Sequence, residues 1–398
     1  MPGWRDNSVW RRLAEAPEAQ QAAAGIDPGD AASIARLRKR FDADLVAAAV
    51  ELAVARRKAA GKFERAGELW CDVAGVEQAS GERVAAWKAM RVREVLGAGG
   101  EVLDICSGIG GDAMALAAAG LRVTAVDLDE RRAWMASRNA GCAARVADAE
   151  SLELAGVALH ADPARRDERG GSRSWSVEDH QPGRAWIERA LREARAAAIK
   201  FSPGVDRRAF GDAGIEWEWI ESDGALVQAV AWSGAFARSP RATRATRVAR
   251  AGTAVTICGT PDDVRADRIG IDPRLGPGVF LLEPVAALER AQQLTEATRG
   301  VDAREIARSL GLLASREPVS GPWFEAFGVV EECGAGADAI RSALARHGLA
   351  ARSVRVRGRA LDADALTRAI GARSDGTAVV FAWREGNGVR TVLTRVTS

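Results

Sequence analysis

The residue types with the clearest chemical meaning lie close together, in VLDICSGIGGDAMALAAAG at positions 102–120 and VTAVDLD at positions 123–129. Gly108 and Gly110 let the chain turn sharply after an apolar segment and bring backbone amide groups close to a ligand. Asp127 ends a second apolar segment nineteen residues after Gly108, where a carboxylate can accept hydrogen bonds from both hydroxyl groups of a ribose. The spacing predicts a strand, a glycine turn, a helix and a second strand around a nucleoside.

Two nucleoside cofactors fit this pattern. Residues 108–113 spell the G-x-G-x-x-G/A fingerprint of a dinucleotide site, although such glycine triplets are common. Asp104, four residues before Gly108, places a carboxylate where it would repel a pyrophosphate but attract the amino and sulfonium groups of S-adenosylmethionine. Asp104 therefore favours a methyl donor over a dinucleotide. The pattern as a whole favours a site for one of these cofactors over a strand, turn and helix with a purely structural role.

The sequence DICSGIGGD, with VDLD behind it, resembles the cofactor site of class I S-adenosylmethionine-dependent methyltransferases. Over most of its length the chain is similar to the bacterial subfamily of these enzymes that carries a C-terminal THUMP-like domain. That similarity includes Lys62 and Phe63, ADPARRDERGG at 161–171, IKFSPGVD at 199–206 and the basic C-terminal tail.

The resemblance implies which residues hold the cofactor. Asp104, Gly108 and Gly110 would line the methionine part of S-adenosylmethionine, and Asp127 would bind its ribose. Asp148, which matches the position after the third strand of such enzymes, would lie at the adenine edge.

The acceptor side is predicted from Asp162, Pro163, Ala164 and Arg165, which follow a predicted strand where class I enzymes carry their acceptor motif. Relatives that methylate exocyclic amines have Asn or Asp, two prolines and an aromatic residue here. Ala164 replaces the second proline and Arg165 the aromatic, and an arginine can still stack on a base or hold a phosphate. Asp162, Pro163 and Arg165 are the predicted catalytic residues; the structural alternative is a strand end and a turn.

Other side chains are weaker candidates for the acceptor side. Methyltransferases that act on a uridine carbon carry a similar Asp-Pro-Pro-Arg but need a cysteine nucleophile, and no cysteine here lies in a matching motif. Cys258 is expected to be a buried strand residue. Lys200, one of only five lysines, could supply a compact charge to substrate, or be an ordinary surface lysine. Four tryptophans could stack on a base but are more typical of a core: Trp175, Trp186, Trp217 and Trp219.

An RNA partner is favoured by the arginine pattern. SVRVRGR at 353–359 places Arg355, Arg357 and Arg359 on one face of a predicted strand. Five more arginines recur at every third position: Arg238, Arg241, Arg244, Arg247 and Arg250. Residues 331–398 are net basic after a net acidic middle, and the THUMP-like resemblance implies tRNA binding by analogy. The alternatives are a solvated surface and a charged edge strand that prevents aggregation.

These residues must be positioned by strands that alternate with helices, which indicates a doubly wound, mainly parallel α/β sheet. The predicted strands are 101–106, 121–129, 157–163, 196–203 and 225–232. Residues 279–315 are predicted to return to helix, and the tail is predicted to run β-α-β-α-β-β. We expect three domains: a helical N-terminal domain (1–96), the class I methyltransferase domain (97–326) and a small α+β THUMP-like domain (327–398).

Composition sets the broad class. The chain has 398 residues, 47% hydrophobic and 28% charged, with a net charge of +2, which is typical of a globular protein. No stretch has the length and apolarity of a membrane span, and the N-terminus lacks the pattern of a signal peptide. Five scattered cysteines and three histidines predict neither a disulfide framework nor a metal site. We expect a cytoplasmic protein without a metal; the sequence defines no oligomeric state.

The sequence therefore predicts an S-adenosylmethionine-dependent methyltransferase that modifies a base nitrogen in structured RNA, tRNA or rRNA. The alternatives are a methyltransferase of a protein or small molecule, and a non-catalytic RNA-binding protein.

Overall fold

The computed structural model describes residues 3–165, 180–211, 214–262, 275–307 and 310–397. The chain forms two compact units, Met1–Ala242 with Val248–Ala254, and Thr243–Arg247 with Val255–Ser398. Neither of the predicted domain boundaries, after residue 96 and after residue 326, coincides with the division between these units.

The first unit contains helices and strands in alternation after a purely helical start. Its helices are α1 (Asn7–Ala14), α2 (Pro17–Ala23), α3 (Ala31–Arg38), α4 (Ala43–Ala59), α5 (Val73–Gln78), α6 (Glu82–Leu96), α7 (Gly111–Ala118), α8 (Glu130–Ala140) and α9 (Arg184–Glu193). Its strands are β1 (Glu101–Ile105), β2 (Arg122–Asp127), β3 (Ala143–Val146), β4 (Ala158–Ala161), β5 (Ala164–Arg165), β6 (His180–Gln181), β7 (Ala196–Phe201), β8 (Glu216–Ser222) and β9 (Ala225–Gly234).

The N-terminal helices share one hydrophobic core with the glycine turn and helix α8. Asp42 caps α4 by accepting hydrogen bonds from the first-turn amides, and α4 buries a face that includes Leu45 and Leu52. The core around this face also contains Ile109 from the glycine turn and Met135 from α8. Because these side chains are buried together, the helical segment packs as part of the first unit.

The sheet of the first unit confirms the predicted mainly parallel arrangement. Its strands are ordered β3-β2-β1-β4-β7-β9-β8. The first five strands of this order are parallel to one another, and β9 is antiparallel to both β7 and β8. In this order β1 and β4 are neighbours; the chain continues from β1 to β2 on one side and from β4 towards β7 on the other. Such a switch point at the carboxyl ends of parallel strands is where ligands bind in open α/β sheets.

The second unit contains a mixed sheet and short helices. The remaining elements are β10 (Thr243–Val248), β11 (Ala254–Gly259), β12 (Phe280–Pro284), α10 (Ala286–Ala291), α11 (Leu294–Ala297), β13 (Ala303–Glu305), β14 (Leu313–Ser315), β15 (Phe324–Cys333), α12 (Ala337–Arg346), β16 (Ala351–Arg357), α13 (Ala363–Ala369), β17 (Ala378–Glu385) and β18 (Gly388–Val396). Seven of these strands form a sheet in the order β13-β14-β12-β15-β18-β17-β16.

The tail from β15 to β18 follows the predicted β-α-β-α-β-β order. The prediction that residues 279–315 are helical is wrong for most of that range, because β12 pairs antiparallel with both β14 and β15. A short apolar run such as FLL fits a helix and a strand equally well, and tertiary pairing decides between them. These additional strands also explain why no unit begins at residue 327.

Among the described residues, no helix combines the length and apolar character needed to cross a bilayer.

Candidate active site

A cavity of about 990 Å³ opens at the carboxyl ends of β1, β2, β4 and β7. It is lined by most of the residues predicted to do chemistry: Asp104, Gly108, Asp127, Asp148, Asp162, Pro163 and Lys200. Among the described residues, no group of histidine, cysteine, aspartate and glutamate side chains has the arrangement of a metal site.

The two glycines of the turn have different tasks. Gly108 lines the cavity with a backbone φ of +55°, which few other residues adopt without strain. Gly110 is not among the residues that line the cavity, although it was predicted to contact the methionine part of a cofactor. Its φ is +85°, and a Cβ there would lie 2.8 Å from the Cα of Ala136 in α8. Gly110 is required for close packing of the turn against that helix.

Asp127 closes β2 with its carboxylate beside the glycine turn. The Oδ2 atom accepts a hydrogen bond from the amide of Gly108 at 2.9 Å, and Oδ1 accepts one from Asp129 at 3.0 Å. Each oxygen retains a second lone pair that can accept a hydroxyl group. Burial raises the pKa of Asp127, against the lowering effect of these two amides.

Asp104 lies at the centre of the site and is paired across the sheet with His160. The two residues are register partners in the parallel pair β1 and β4, and His160 Nδ1 lies 2.7 Å from Asp104 Oδ1. Asp104 Oδ2 is buried and has no hydrogen-bond partner among the described residues. Burial raises the pKa of Asp104, against the lowering effect of His160.

A buried ion pair lies beside the histidine. Lys88 Nζ, from α6, is 2.6 Å from Asp112 Oδ1 in the first turn of α7 and 3.1 Å from His160 Nε2. The Ser80 hydroxyl donates to Asp112 Oδ2 at 2.9 Å. Burial alone would raise the pKa of Asp112, but the ammonium of Lys88, with His160 and Lys200, lowers it overall. The Asp112 carboxylate is therefore charged.

Asp148 lies at the edge of the cavity after β3. Its side chain accepts a hydrogen bond from the amide of Glu150 at 2.9 Å and caps the short turn Ala149–Ser151. This arrangement places the Asp148 carboxylate at the cavity wall, next to the end of β2.

On the acceptor side, Asp162 and Lys200 form an ion pair in the cavity. Lys200 Nζ lies 2.6 Å from Asp162 Oδ2, and the Asp162 amide donates to the carbonyl of Ile105 at 3.1 Å. Ala164 and Arg165 form a short antiparallel pair with β6, and only the backbone of Arg165 is described. The segment 166–179, with Trp175, lies outside the described residues.

Lysine side chains also fix the segment that leads from α5 into the cavity. Lys62 Nζ donates to the carbonyls of Val76, Glu77 and Ala79 at 2.7, 2.9 and 3.1 Å. Lys200 Nζ donates to the carbonyl of Gln78 at 3.3 Å. Carbonyls at the C-terminal end of a helix attract cations, which explains why two ammonium groups meet there.

Cys106 lines the cavity but is a poor nucleophile. Burial, followed by the nearby carboxylates of Asp127, Asp162 and Asp104, raises the pKa of the Cys106 thiol. Because the thiolate is the reactive form, this environment argues against covalent attack by Cys106 on a base.

Three of the four tryptophans considered as stacking platforms, Trp186, Trp217 and Trp219, are buried in the core of the first unit. Cys258, expected to be buried, is a half-buried residue of β11.

The arginines of the tail do not form the predicted exposed basic face. Arg357 Nη1 lies 2.6 Å from Glu289 Oε1, and Arg357 Nη2 lies 3.0 Å from Glu283 Oε1. Arg355 forms ion pairs with Glu283 and with Glu325. Both charges are therefore neutralised inside the second unit.

Arg359 is also displaced from the predicted arrangement. The strand β16 ends at Arg357, and Arg359 follows in a turn with φ of +49°, exposed to solvent. The three arginines thus do not share one strand face.

The arginines spaced at every third residue likewise have partners within their own units. Arg238 forms an ion pair with Glu94, and Arg250 Nε lies 3.1 Å from Asp223 Oδ1. Arg247 donates to the backbone carbonyl of Pro322. The repeated spacing therefore does not produce one exposed basic surface.

Three buried polar side chains next to the cavity were not predicted from the sequence: Lys88, His160 and Asp112. Two signals were present: His160 interrupts the apolar strand ALHA, and Lys88 lies at helical spacing between the buried Val84 and Val92. A charged residue on the buried face of a helix needs a partner, and that partner is visible only in the fold.

Comparisons with known proteins bear on the class of protein that this chain resembles. The chain is 29% identical over 374 residues to an uncharacterized S-adenosylmethionine-dependent methyltransferase of Mycobacterium tuberculosis CDC 1551, covering 88% of this chain and 96% of that protein. An uncharacterized S-adenosylmethionine-dependent methyltransferase of strain H37Rv matches with the same identity and coverage. A crystal structure of a candidate methyltransferase from Porphyromonas gingivalis W83 aligns over 98% of both chains with a TM-score of 0.72 at 15% identity, which shows a shared fold. No protein-family model matches the chain.

These relatives and the shared fold support the class of S-adenosylmethionine-dependent methyltransferases for this chain.

Proposed function

We propose that this protein transfers a methyl group from S-adenosylmethionine to a base nitrogen in structured RNA, tRNA or rRNA. The methyl-transfer part of this proposal rests on one observation: aspartates predicted for the cofactor and an aspartate predicted for the acceptor line the same cavity. Asp104 and Asp127 lie beside the glycine turn, and Asp162, which follows the end of β4, lines the same cavity.

The residues present fit S-adenosylmethionine. Asp104 offers a buried carboxylate oxygen that has no partner among the described residues, suited to the ammonium group of the methionine part. Asp127 retains a lone pair on each oxygen for the ribose hydroxyl groups. Asp148 is available to the adenine edge. The cofactor supplies an electrophilic methyl group on a sulfonium centre.

The chain's own contribution on the acceptor side is positioning. Lys200 holds Asp162 Oδ2, which leaves Oδ1 to accept a hydrogen bond from the acceptor nitrogen and to orient its lone pair towards the donor. Pro163 forms the cavity wall next to Asp162, and Arg165 is the proposed stacking or phosphate-binding residue. The walls of the cavity exclude part of the water around the charges that change during transfer.

RNA as the acceptor rests on the resemblance of the sequence, on the net basic tail and on the exposed Arg359. The ion pairs of Arg355 and Arg357 favour a second candidate, a methyltransferase of a protein or small molecule. In that case the second unit would serve assembly or stability.

Mass spectrometry of nucleosides from total RNA, with and without the gene for this protein, tests the acceptor. We expect one methylated nucleoside to be missing without the protein and to return with the wild type but not with Asp162→Ala. A complete set of nucleosides in both RNA samples would reject RNA and leave the second candidate.

A further inference from the structure

A continuous chain of buried polar contacts runs from α6 to the cavity. Lys88 Nζ lies 3.1 Å from His160 Nε2, and His160 Nδ1 lies 2.7 Å from Asp104 Oδ1. All three residues are only 1% exposed. We refer to Lys88, His160 and Asp104 as the relay.

The contacts of the relay fix where the protons lie. An ammonium group has three donors and no acceptor, so His160 Nε2 must accept the hydrogen bond from Lys88. The single proton of the neutral ring is then on Nδ1, and Nδ1 donates it to Asp104 Oδ1. The relay thus assigns His160 one tautomer and uses one of the two Asp104 oxygens.

The other oxygen of Asp104 points to a ligand. Asp104 Oδ2 is buried in the lining of the cavity and has no hydrogen-bond partner among the described residues. An unsatisfied buried carboxylate oxygen costs stability, so such an atom at a cavity wall indicates a donor that arrives with a ligand.

The charges around the relay add up to one negative charge. Lys88 and Asp112 neutralise each other at 2.6 Å, and His160 is neutral in the assigned tautomer. Asp104 therefore presents a net anion to the cavity. The matching ligand group is a cation with N–H donors.

We propose that Lys88 and His160 are positioning residues, which orient Asp104 so that Oδ2 receives the ammonium group of bound S-adenosylmethionine. This inference rests on the proposed methyl donor. It makes helix α6, from outside the glycine-turn motif, a part of the cofactor site.

Calorimetric titration with three ligands separates this role from simple packing. S-adenosylmethionine and S-adenosylhomocysteine carry the ammonium group, whereas 5′-methylthioadenosine has the nucleoside without it. His160→Gln can still accept from Lys88 but loses the donor to Asp104. We expect it to weaken binding of the first two ligands by about tenfold or more and that of 5′-methylthioadenosine by less than about twofold.

His160→Asn is the matched control, because its amide nitrogen replaces Nδ1 and keeps the donor to Asp104. It should bind all three ligands within about threefold of the wild type. Equal weakening of all three ligands by His160→Gln, or no weakening of any, would overturn the relay. If the wild type binds none of the three, the proposed methyl donor itself is wrong.

A second measurement needs no variant. The chain has three histidines, so ¹⁵N chemical shifts of the imidazole rings can be assigned to His160 in the intact protein. The relay requires a neutral ring with its proton on Nδ1. A proton on Nε2, or on both nitrogens, would overturn it even if the variants fail to fold.

Discussion

The two sides of the cavity are built differently. On the side of the glycine turn, the side chains of Asp104, Lys88 and Asp112 are at most 8% exposed; Lys88 pairs with Asp112, and Asp104 is bonded to His160. On the acceptor side, the side chains of Lys200 and Asp162 are 15% and 28% exposed.

This difference has a physical consequence. A buried charge without its partner is costly, so the cofactor side tolerates few substitutions. A partly exposed ion pair is screened by water and costs less to change.

The largest expected effect is on the cofactor side. Lys88→Met leaves the Asp112 carboxylate buried without a counter-charge and should lower the free energy of unfolding by about 3–5 kcal/mol. Denaturant titration measures this loss. The control Lys39→Met changes an exposed lysine and should alter stability by less than about 0.5 kcal/mol. Equal stability of both variants would contradict the expected cost of leaving the Asp112 carboxylate buried without its counter-charge.

Acid should weaken cofactor binding. Burial raises the pKa of both Asp104 and Asp127, so protonation begins above the ordinary aspartate range of about 3.9. A protonated carboxyl group loses its attraction for a cationic ligand, so the affinity for S-adenosylmethionine should fall as pH is lowered from 8 to 5. Calorimetry across this range measures the change. An affinity that is constant or rises towards acid contradicts the assignment of both aspartates.

A smaller and selective effect is expected on the acceptor side. Lys200→Met removes the contact that holds Asp162, so methyl incorporation into total RNA lacking the modification should slow by about tenfold. The affinity for S-adenosylmethionine should stay within about twofold of the wild type. Methyl incorporation is measured by scintillation counting, and Lys39→Met in the same assay serves as the control. A loss of cofactor affinity equal to the loss of rate would show that Lys200 acts on cofactor binding and would contradict its assignment to the acceptor side.

The smallest effect concerns the tail. If RNA is the acceptor, Arg359→Ala should reduce the magnitude of the slope of log K against log salt by about 0.7–0.9, the value for one phosphate contact. Arg355→Ala should leave the slope unchanged, because that charge is already paired with Glu283 and Glu325. Filter binding at several salt concentrations compares them. Identical slopes for the wild type and Arg359→Ala would show that Arg359 makes no phosphate contact with RNA.

The sequence was sufficient where local pattern and structure agree. The strand, glycine turn and helix around Gly108, and the second strand ending at Asp127, lie where their spacing predicts them. The tail order from β15 to β18 was also predicted, because each element there has a clear period and a turn between it and the next.

The sequence was insufficient where partners are distant in the chain. The contact between Lys88 and His160 joins residues 72 positions apart, and Arg357 meets Glu289 across 68 positions. Arginine spacing alone could not show that Arg355 and Arg357 are neutralised by glutamates from elements predicted to be helical. β12 was misassigned for a similar reason, since its pairing with β15 is tertiary.

Calorimetric titration of the wild-type protein with S-adenosylmethionine and, separately, with NAD⁺ tests the central claim most directly. The carboxylates of Asp104 and Asp127 predict saturable binding of the sulfonium compound with one site per chain and no binding of the dinucleotide. Binding of NAD⁺ with no heat from S-adenosylmethionine would contradict the account.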